Sequence, residues 1–113
     1  MSSRFQLAFI DEDAHKEYRK LDGSTKRLVD VGLRKLEERA DQLGSPLHGS
    51  LEGCKKLKWR DAGIRLVFRI LEDGTVEIVE IVAIGRRDKG AVYKAAEKRL
   101  KKKQLTLSSL TLP

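Results

Sequence analysis

The sequence is short of the residues that cross-link a chain or ligate metals. Cys54 is the single cysteine among 113 residues. One thiol cannot form an internal disulfide, so a reducing, cytoplasmic setting is expected. His15 and His48 are the only histidines, and neither has cysteine or histidine company at ligand spacing. That argues against a structural metal. Long apolar runs are missing too. The longest purely aliphatic stretch is Ile81-Val82-Ala83-Ile84, far below the roughly 20 residues of a membrane span. Met1-Ser2-Ser3-Arg4 leads into a mixed segment, unlike the apolar stretch of a signal peptide. No internal repeat or domain-splitting linker is visible. A membrane partner and a small-molecule cofactor are therefore not expected.

What is present is charge. Hydrophobic residues make up 40% of the chain, enough for one modest core despite 36% charged residues. The formal net charge is +7. Residues 1–50 hold nine basic and nine acidic side chains, and residues 51–113 hold fifteen and eight. The whole excess therefore lies in the second half. A localised basic field points to an anionic partner.

The apolar pattern gives an α+β order of elements. Phe5 to Ile10 reads as a strand. Asp11 to Leu21 reads as a helix with acids at its start and Lys16, Arg19 and Lys20 towards its end, as the helix dipole favours. After the Asp22-Gly23 break, Ser24 is the expected N-cap of a longer helix reaching Leu43. Val29, Leu33, Leu36, Ala40 and Leu43 form its apolar stripe. Gly44 and Pro46 end it. Three strands follow, over Cys54 to Trp59, Ile64 to Leu71 and Val76 to Ile84. A last helix is expected over Lys89 to Lys103, with residues 104–113 as a tail. The domain is thus 1–103.

Strand register follows from which side chains must share a face. In the first hairpin the pattern sets Leu57 opposite Leu66 and Trp59 opposite Ile64. In the second, a two-residue Asp73-Gly74 turn sets Leu66 opposite Ile81, Phe68 opposite Val79 and Ile64 opposite Ala83. One face then collects Leu57, Trp59, Ile64, Leu66, Phe68, Val79 and Ile81, to be covered by the first two helices. The other face sets Lys58 opposite Arg65, with Lys56 beside Lys58. Arg69 lies further along, and diagonal pairing brings Glu80 near Arg65 or Arg69. Like charges directly opposite each other destabilise a sheet. A solvated basic face and an anion-binding site both remain open at this point. Beyond the third strand, Arg86 and Arg87 leave the sheet between Gly85 and Gly90. Such a fork suits bidentate phosphate contact.

Several spaced elements together resemble the RelE toxins of bacterial type II toxin–antitoxin pairs. They are Leu51-Glu52-Gly53-Cys54-Lys55-Lys56-Leu57-Lys58, Gly63-Ile64-Arg65-Leu66-Val67-Phe68, Ile84-Gly85-Arg86-Arg87 and Val92-Tyr93. The resemblance runs from about Phe5 to Leu100. It implies a small fold with a twisted, mostly antiparallel four-stranded sheet, two N-terminal helices on one face and a C-terminal helix. It implies a ribosome-dependent endoribonuclease that cuts mRNA in the A site, and a cognate antitoxin protein as partner. The family's catalytic positions match Lys56, Lys58, Arg65, Arg87 and Tyr93. Two other readings share the fold. One is a ParE-like inhibitor of DNA gyrase, and the other is a silent RNA- or ribosome-binding module.

The five matched residues contain no histidine and no acidic pair. The reaction open to them is metal-independent attack of a ribose 2′-hydroxyl on its own 3′-phosphate. Lys58 is the expected base, its pKa lowered by Arg65 and Lys56. Arg65 and Lys56 would stabilise the extra phosphorane charge, Arg87 would clamp the phosphate or help supply the leaving-group proton, and Tyr93 would stack on a base or orient the 2′-hydroxyl. A second basic group, Lys98, Arg99, Lys101, Lys102 and Lys103, is expected to dock on ribosomal RNA. Arg69 and Arg86 are counted with it.

Overall fold

The computed structural model describes residues 4–72, 74 and 76–111, with side chains of residue 89 and of residues beyond 103 not described. The element order is β1 (Phe5–Phe9), α1 (Glu12–Arg19), α2 (Gly23–Arg39), β2 (Ser45–Pro46), β3 (Cys54–Trp59), β4 (Ile64–Glu72), β5 (Glu77–Arg86) and α3 (Ala91–Thr111). The strands form one sheet in the order β1-β5-β4-β3-β2. Only β1 and β5 run parallel. The sheet has five strands, one more than expected, because Ser45 and Pro46 pair with Lys56 and Lys55 at the edge. Two residues containing a proline carry no alternation, so this strand leaves no trace in the pattern.

Each sheet face has its own cover. The α2 stripe of Val29, Leu33 and Leu36, with Ala40 just beyond the helix, packs with Ile64, Leu66, Phe68, Val79, Ile81 and Ile84. Leu57 and Trp59 join that layer as expected. On the opposite face Val67, Val82 and Ala83 pack beneath Val92 and Ala96 of α3, with Tyr93 and Leu100 alongside. The basic residues of β3 and β4 therefore share a face with α3.

Helix ends follow short polar side chains. The Asp11 carboxylate accepts from Ala14 N at 2.8 Å to cap α1. The cap of α2 is Asp22 rather than Ser24. Its carboxylate accepts from Thr25 N at 2.8 Å, and the Ser24 hydroxyl donates to it. An acidic N-cap satisfies the free N–H groups at least as well as a serine. The α2 helix stops at Arg39 and a 3-10 turn, Ala40–Gln42, finishes the segment. The last helix starts at Ala91, after a 3-10 turn over Asp88–Gly90, and its backbone continues to Thr111.

The first hairpin has the expected register, with Leu57 opposite Leu66, Lys58 opposite Arg65 and Trp59 opposite Ile64. The second does not. Leu66 faces Ile84, Phe68 faces Ile81 and Ile64 faces Arg86. Pairing ends at Glu72 and Glu77, so the connection is longer than a two-residue turn, and its residues 73 and 75 lie outside the described ones. A slip of two residues keeps every side chain on its face, so burial alone cannot detect it. A bulge between Val67 and Phe68 then shifts the far half by one more residue.

Gly32 sets how α2 meets β3. A Cβ built there would lie 2.6 Å from Cζ2 and 3.1 Å from Cη2 of Trp59. Glycine normally weakens a helix interior by up to about 1 kcal/mol relative to alanine. Here the rigid indole reverses the sign. We expect Gly32→Ala to destabilise the fold by about 1–2 kcal/mol through overpacking, with a changed Trp59 emission spectrum. A melting temperature equal to or above that of the parent would refute this.

Candidate active site

Backbone pairing brings three of the expected site residues together. Lys58 and Arg65 are directly opposite across β3 and β4. Lys56 lies two residues from Lys58, on the same side of β3. Its Nζ sits 5.9 Å from the centre of the Tyr93 ring, a cation–π distance. Tyr93 is half-buried in the layer under α3, one residue after the buried Val92.

Arg87 joins them through the backbone. Its N–H donates to Gly63 O at 2.9 Å. Gly63 closes the β3–β4 turn with φ 67°, a conformation that favours glycine. The exit of β5 is thereby pinned beside the start of β4, and exposed Arg87 stands at the same end of the sheet as Lys58 and Arg65. Arg65 is opposite Gly85. A Cβ at that glycine would lie 3.4 Å from Val92 Cβ, so its small size lets α3 begin close to the sheet.

The electrostatics of this group are one-sided. Among the described residues, no ion pair involves Lys56, Lys58, Arg60, Arg65 or Arg87. The Lys58 ammonium is held below the ordinary lysine pKa, chiefly by the charge of Lys56. Partial desolvation, Arg60 and Arg65 follow in that order. The facing arginine is thus not the main cause, and Arg60 contributes although the sequence pattern had not singled it out. These cations lie outside the cavities beside Arg69 and beside Arg86. A cavity of about 440 Å³ lies further along, beside Cys54, Arg69 and Lys103. An open cationic surface suits a polymeric anion better than a small molecule.

No family model matches the chain. It is 33% identical over 98 residues to a RelE-like toxin protein of Escherichia coli, covering 87% of this chain and 99% of that one. The chain belongs to the RelE family of toxins. A second relative, the mRNA interferase toxin RelE of E. coli K12, is 32% identical and covers 80% of this chain and 93% of its own. The free E. coli RelE toxin in a mutant form superposes with a TM-score of 0.69 at 32% identity, over 88% of this chain and 98% of that one. RelE in the intact E. coli RelBE toxin–antitoxin complex superposes with a TM-score of 0.54 at 30% identity, over 73% and 95%.

The remaining basic residues of this RelE chain divide by partner. Arg69 Nε donates to Glu80 Oε1 at 2.7 Å, and Lys103 Nζ donates to the other oxygen of that buried carboxylate. Arg99 binds Glu17 through both terminal nitrogens, at 2.7 and 3.1 Å, and its side chain is only 13% exposed. Lys98 and Lys101 are exposed on the outer side of α3, and Lys102 lines a cavity with Ile10, Asp11, Arg99 and Lys103. Arg86 pairs with Ile64, on the face of α1 and α2. It lines a cavity of about 380 Å³ with Asp22 and Thr25, away from Lys56 and Lys58. Arg69, Arg99 and Lys103 therefore spend their charge inside the fold. Among the described residues no helix is long and apolar enough to cross a membrane.

Proposed function

We propose that this RelE toxin is an mRNA interferase that cuts mRNA in the ribosomal A site, by attack of a ribose 2′-hydroxyl on the adjacent 3′-phosphate. One observation carries the reading. Lys56, Lys58, Arg65 and Arg87 gather at one end of one sheet face, and among the described residues none of them is paired with a carboxylate. The fold tolerates like charges in direct opposition there, which favours a bound polyanion as the missing counter-charge. Lys58 is the base. Lys56 and Arg65 stabilise the phosphorane, and Arg87 clamps the phosphate and helps supply the proton that the departing 5′-oxygen takes up. Tyr93 stacks on a base or orients the 2′-hydroxyl. The ribosome supplies much of the positioning of the mRNA. Lys98, Lys101 and Lys102 contact ribosomal RNA. The chain acts as the toxin of a type II pair, silenced by a cognate antitoxin. RelE in complex with an antitoxin RelB peptide supports this, at 30% identity and a TM-score of 0.62.

Purified protein added to programmed ribosomes should cut within the A-site codon and leave a 2′,3′-cyclic phosphate or 3′-phosphate end. No cut, together with inhibition of DNA gyrase, would defeat the reading. The pH profile tests the base. Neutral Lys58 is the active form, so the rate rises with pH and levels off below the ordinary lysine value. Lys56 is the main source of that depression, so Lys56→Gln should move the rising limb to higher pH. A limb that stays in place in the normalised profile would exclude Lys58 as the titrating group.

A further inference from the structure

We propose that Arg60 holds the phosphate next to the scissile one, on the side of the site away from Tyr93. This rests on the endonuclease reading and names a contact that reading does not need. Residues 56 and 58 share one face of β3 at the two-residue period of a strand, and Arg60 is the next step of that period, one residue beyond the strand, in the turn. Lys56 ends this row beside the Tyr93 ring. Lys58 stands in the middle, opposite Arg65. Arg60 ends the row at the turn, where its carbonyl accepts from Gly63 N at 3.1 Å. The same turn receives the Arg87 N–H through Gly63 O. Arg60 is therefore anchored by its backbone while its side chain is exposed.

Two observations point to a ligand rather than a solvated turn. First, the turn fixes Arg60 two residues beyond Lys58, facing Gly63, and its charge adds to the lowering of the Lys58 pKa. Second, Asp61 follows it directly, yet no ion pair of Arg60 with Asp61 or any other acid exists among the described residues. The spacing fits a strand of nucleic acid. Two residues of β-strand cover about 6.8 Å, of the order of the distance between successive phosphates in an extended chain. Lys56, Lys58 and Arg60 thus present cations in line, at the step of a polyanion. With the scissile phosphate at Lys58 and Arg65, Arg60 meets its neighbour. A planar fork at that end fixes the register of the RNA before the 2′-hydroxyl is attacked.

The test uses programmed ribosomes and mRNAs carrying a neutral methylphosphonate at one or the other phosphate flanking the cut. For the parent protein, neutralising one of the two flanking phosphates should slow single-turnover cleavage about tenfold, as expected for a lost charge-assisted contact. Arg60→Ala should slow cleavage of ordinary mRNA about tenfold as well, and the methylphosphonate at that flank should then cost nothing more. At the other flank the variant should lose as much as the parent. Arg60→Lys should recover part of the rate. Wild-type cleavage by Arg60→Ala, or losses that simply multiply at both flanks, would overturn the inference while leaving the endonuclease intact. A parent protein that never cuts would overturn both.

Discussion

Lys58→Ala and Arg65→Ala should each lower single-turnover cleavage at least tenfold, at least about 1.4 kcal/mol in the barrier, without loss of stability. The two side chains oppose each other in the sheet and neither has an acidic partner among the described residues. Removing either relieves like-charge opposition, which is unfavourable by a few tenths of a kcal/mol. Each variant should therefore melt at or slightly above the parent temperature while cutting far more slowly. That combination separates a reactive cluster from a structural one. Lys58→Arg refines the test. It keeps the positive charge but cannot deprotonate near neutral pH. If Lys58 is the base, Lys58→Arg should be as slow as Lys58→Ala and should lose the rising limb of the pH profile. If Lys58 serves only as a cation, Lys58→Arg should keep most of the rate. Unchanged rates in both alanine variants would defeat the site assignment.

This opposition is legible in the sequence, because the first hairpin carries a pattern that only one register satisfies. Leu57 and Trp59 must meet Leu66 and Ile64, and Lys58 then has nowhere to go but opposite Arg65. The second hairpin is apolar on both faces, with Val82 and Ala83 buried as fully as Ile81 and Ile84. A strand buried on both sides loses its alternation, so the slip and the bulge leave no mark. Asp73-Gly74 favours a two-residue turn as a sequence, but pairing already ends at Glu72 opposite Glu77. The charge run on α3 shows a different limit. Lys98 to Lys103 look alike as a string, but the helix turns about 100° per residue. Arg99 and Lys103 fall beside Ala96 and Leu100, facing the sheet, while Lys98 and Lys101 face out. The stripe of Val92, Ala96 and Leu100 held that information. Arg60 was also within reach, since the two-residue period that joins Lys56 to Lys58 extends to it. No sequence signal marks Glu17 as the partner of Arg99, because the two are 82 residues apart.

Glu17→Ala should be the most destabilising substitution considered, for a reason rooted in the sheet. The strand β1 pairs with β5 only as far as Phe9 opposite Ile81, with Ile10 N donating to Ile81 O just beyond. Past that point the outer edge of β5 has no strand beside it. Two side chains take its place. Glu17 Oε1 accepts from Ile84 N at 3.0 Å, and Arg99 Nη1 donates to Val82 O at 3.0 Å. The carboxylate and the guanidinium also bind each other in a two-pronged pair. One pair thus ties α1, β5 and α3 together and satisfies backbone groups that lack a strand partner. Removing the carboxylate leaves Ile84 N without its acceptor, and leaves a guanidinium of 13% exposure with only Val82 O and the more distant Asp11 carboxylate at 3.9 Å. Breaking a buried pair costs about 3–5 kcal/mol, and the 29% exposure of Glu17 places the effect at the lower end. We expect a loss of about 3 kcal/mol, and at roughly 4–8 °C per kcal/mol a fall in melting temperature of about 12–24 °C. Glu17→Gln keeps an acceptor for Ile84 N and should fall between the two. Replacing both partners, as Glu17→Leu with Arg99→Met, removes the stranded charge and should recover part of the loss. A shift below about 3 °C for Glu17→Ala would show that water replaces the carboxylate, and that α3 does not depend on this pair to stay on the sheet.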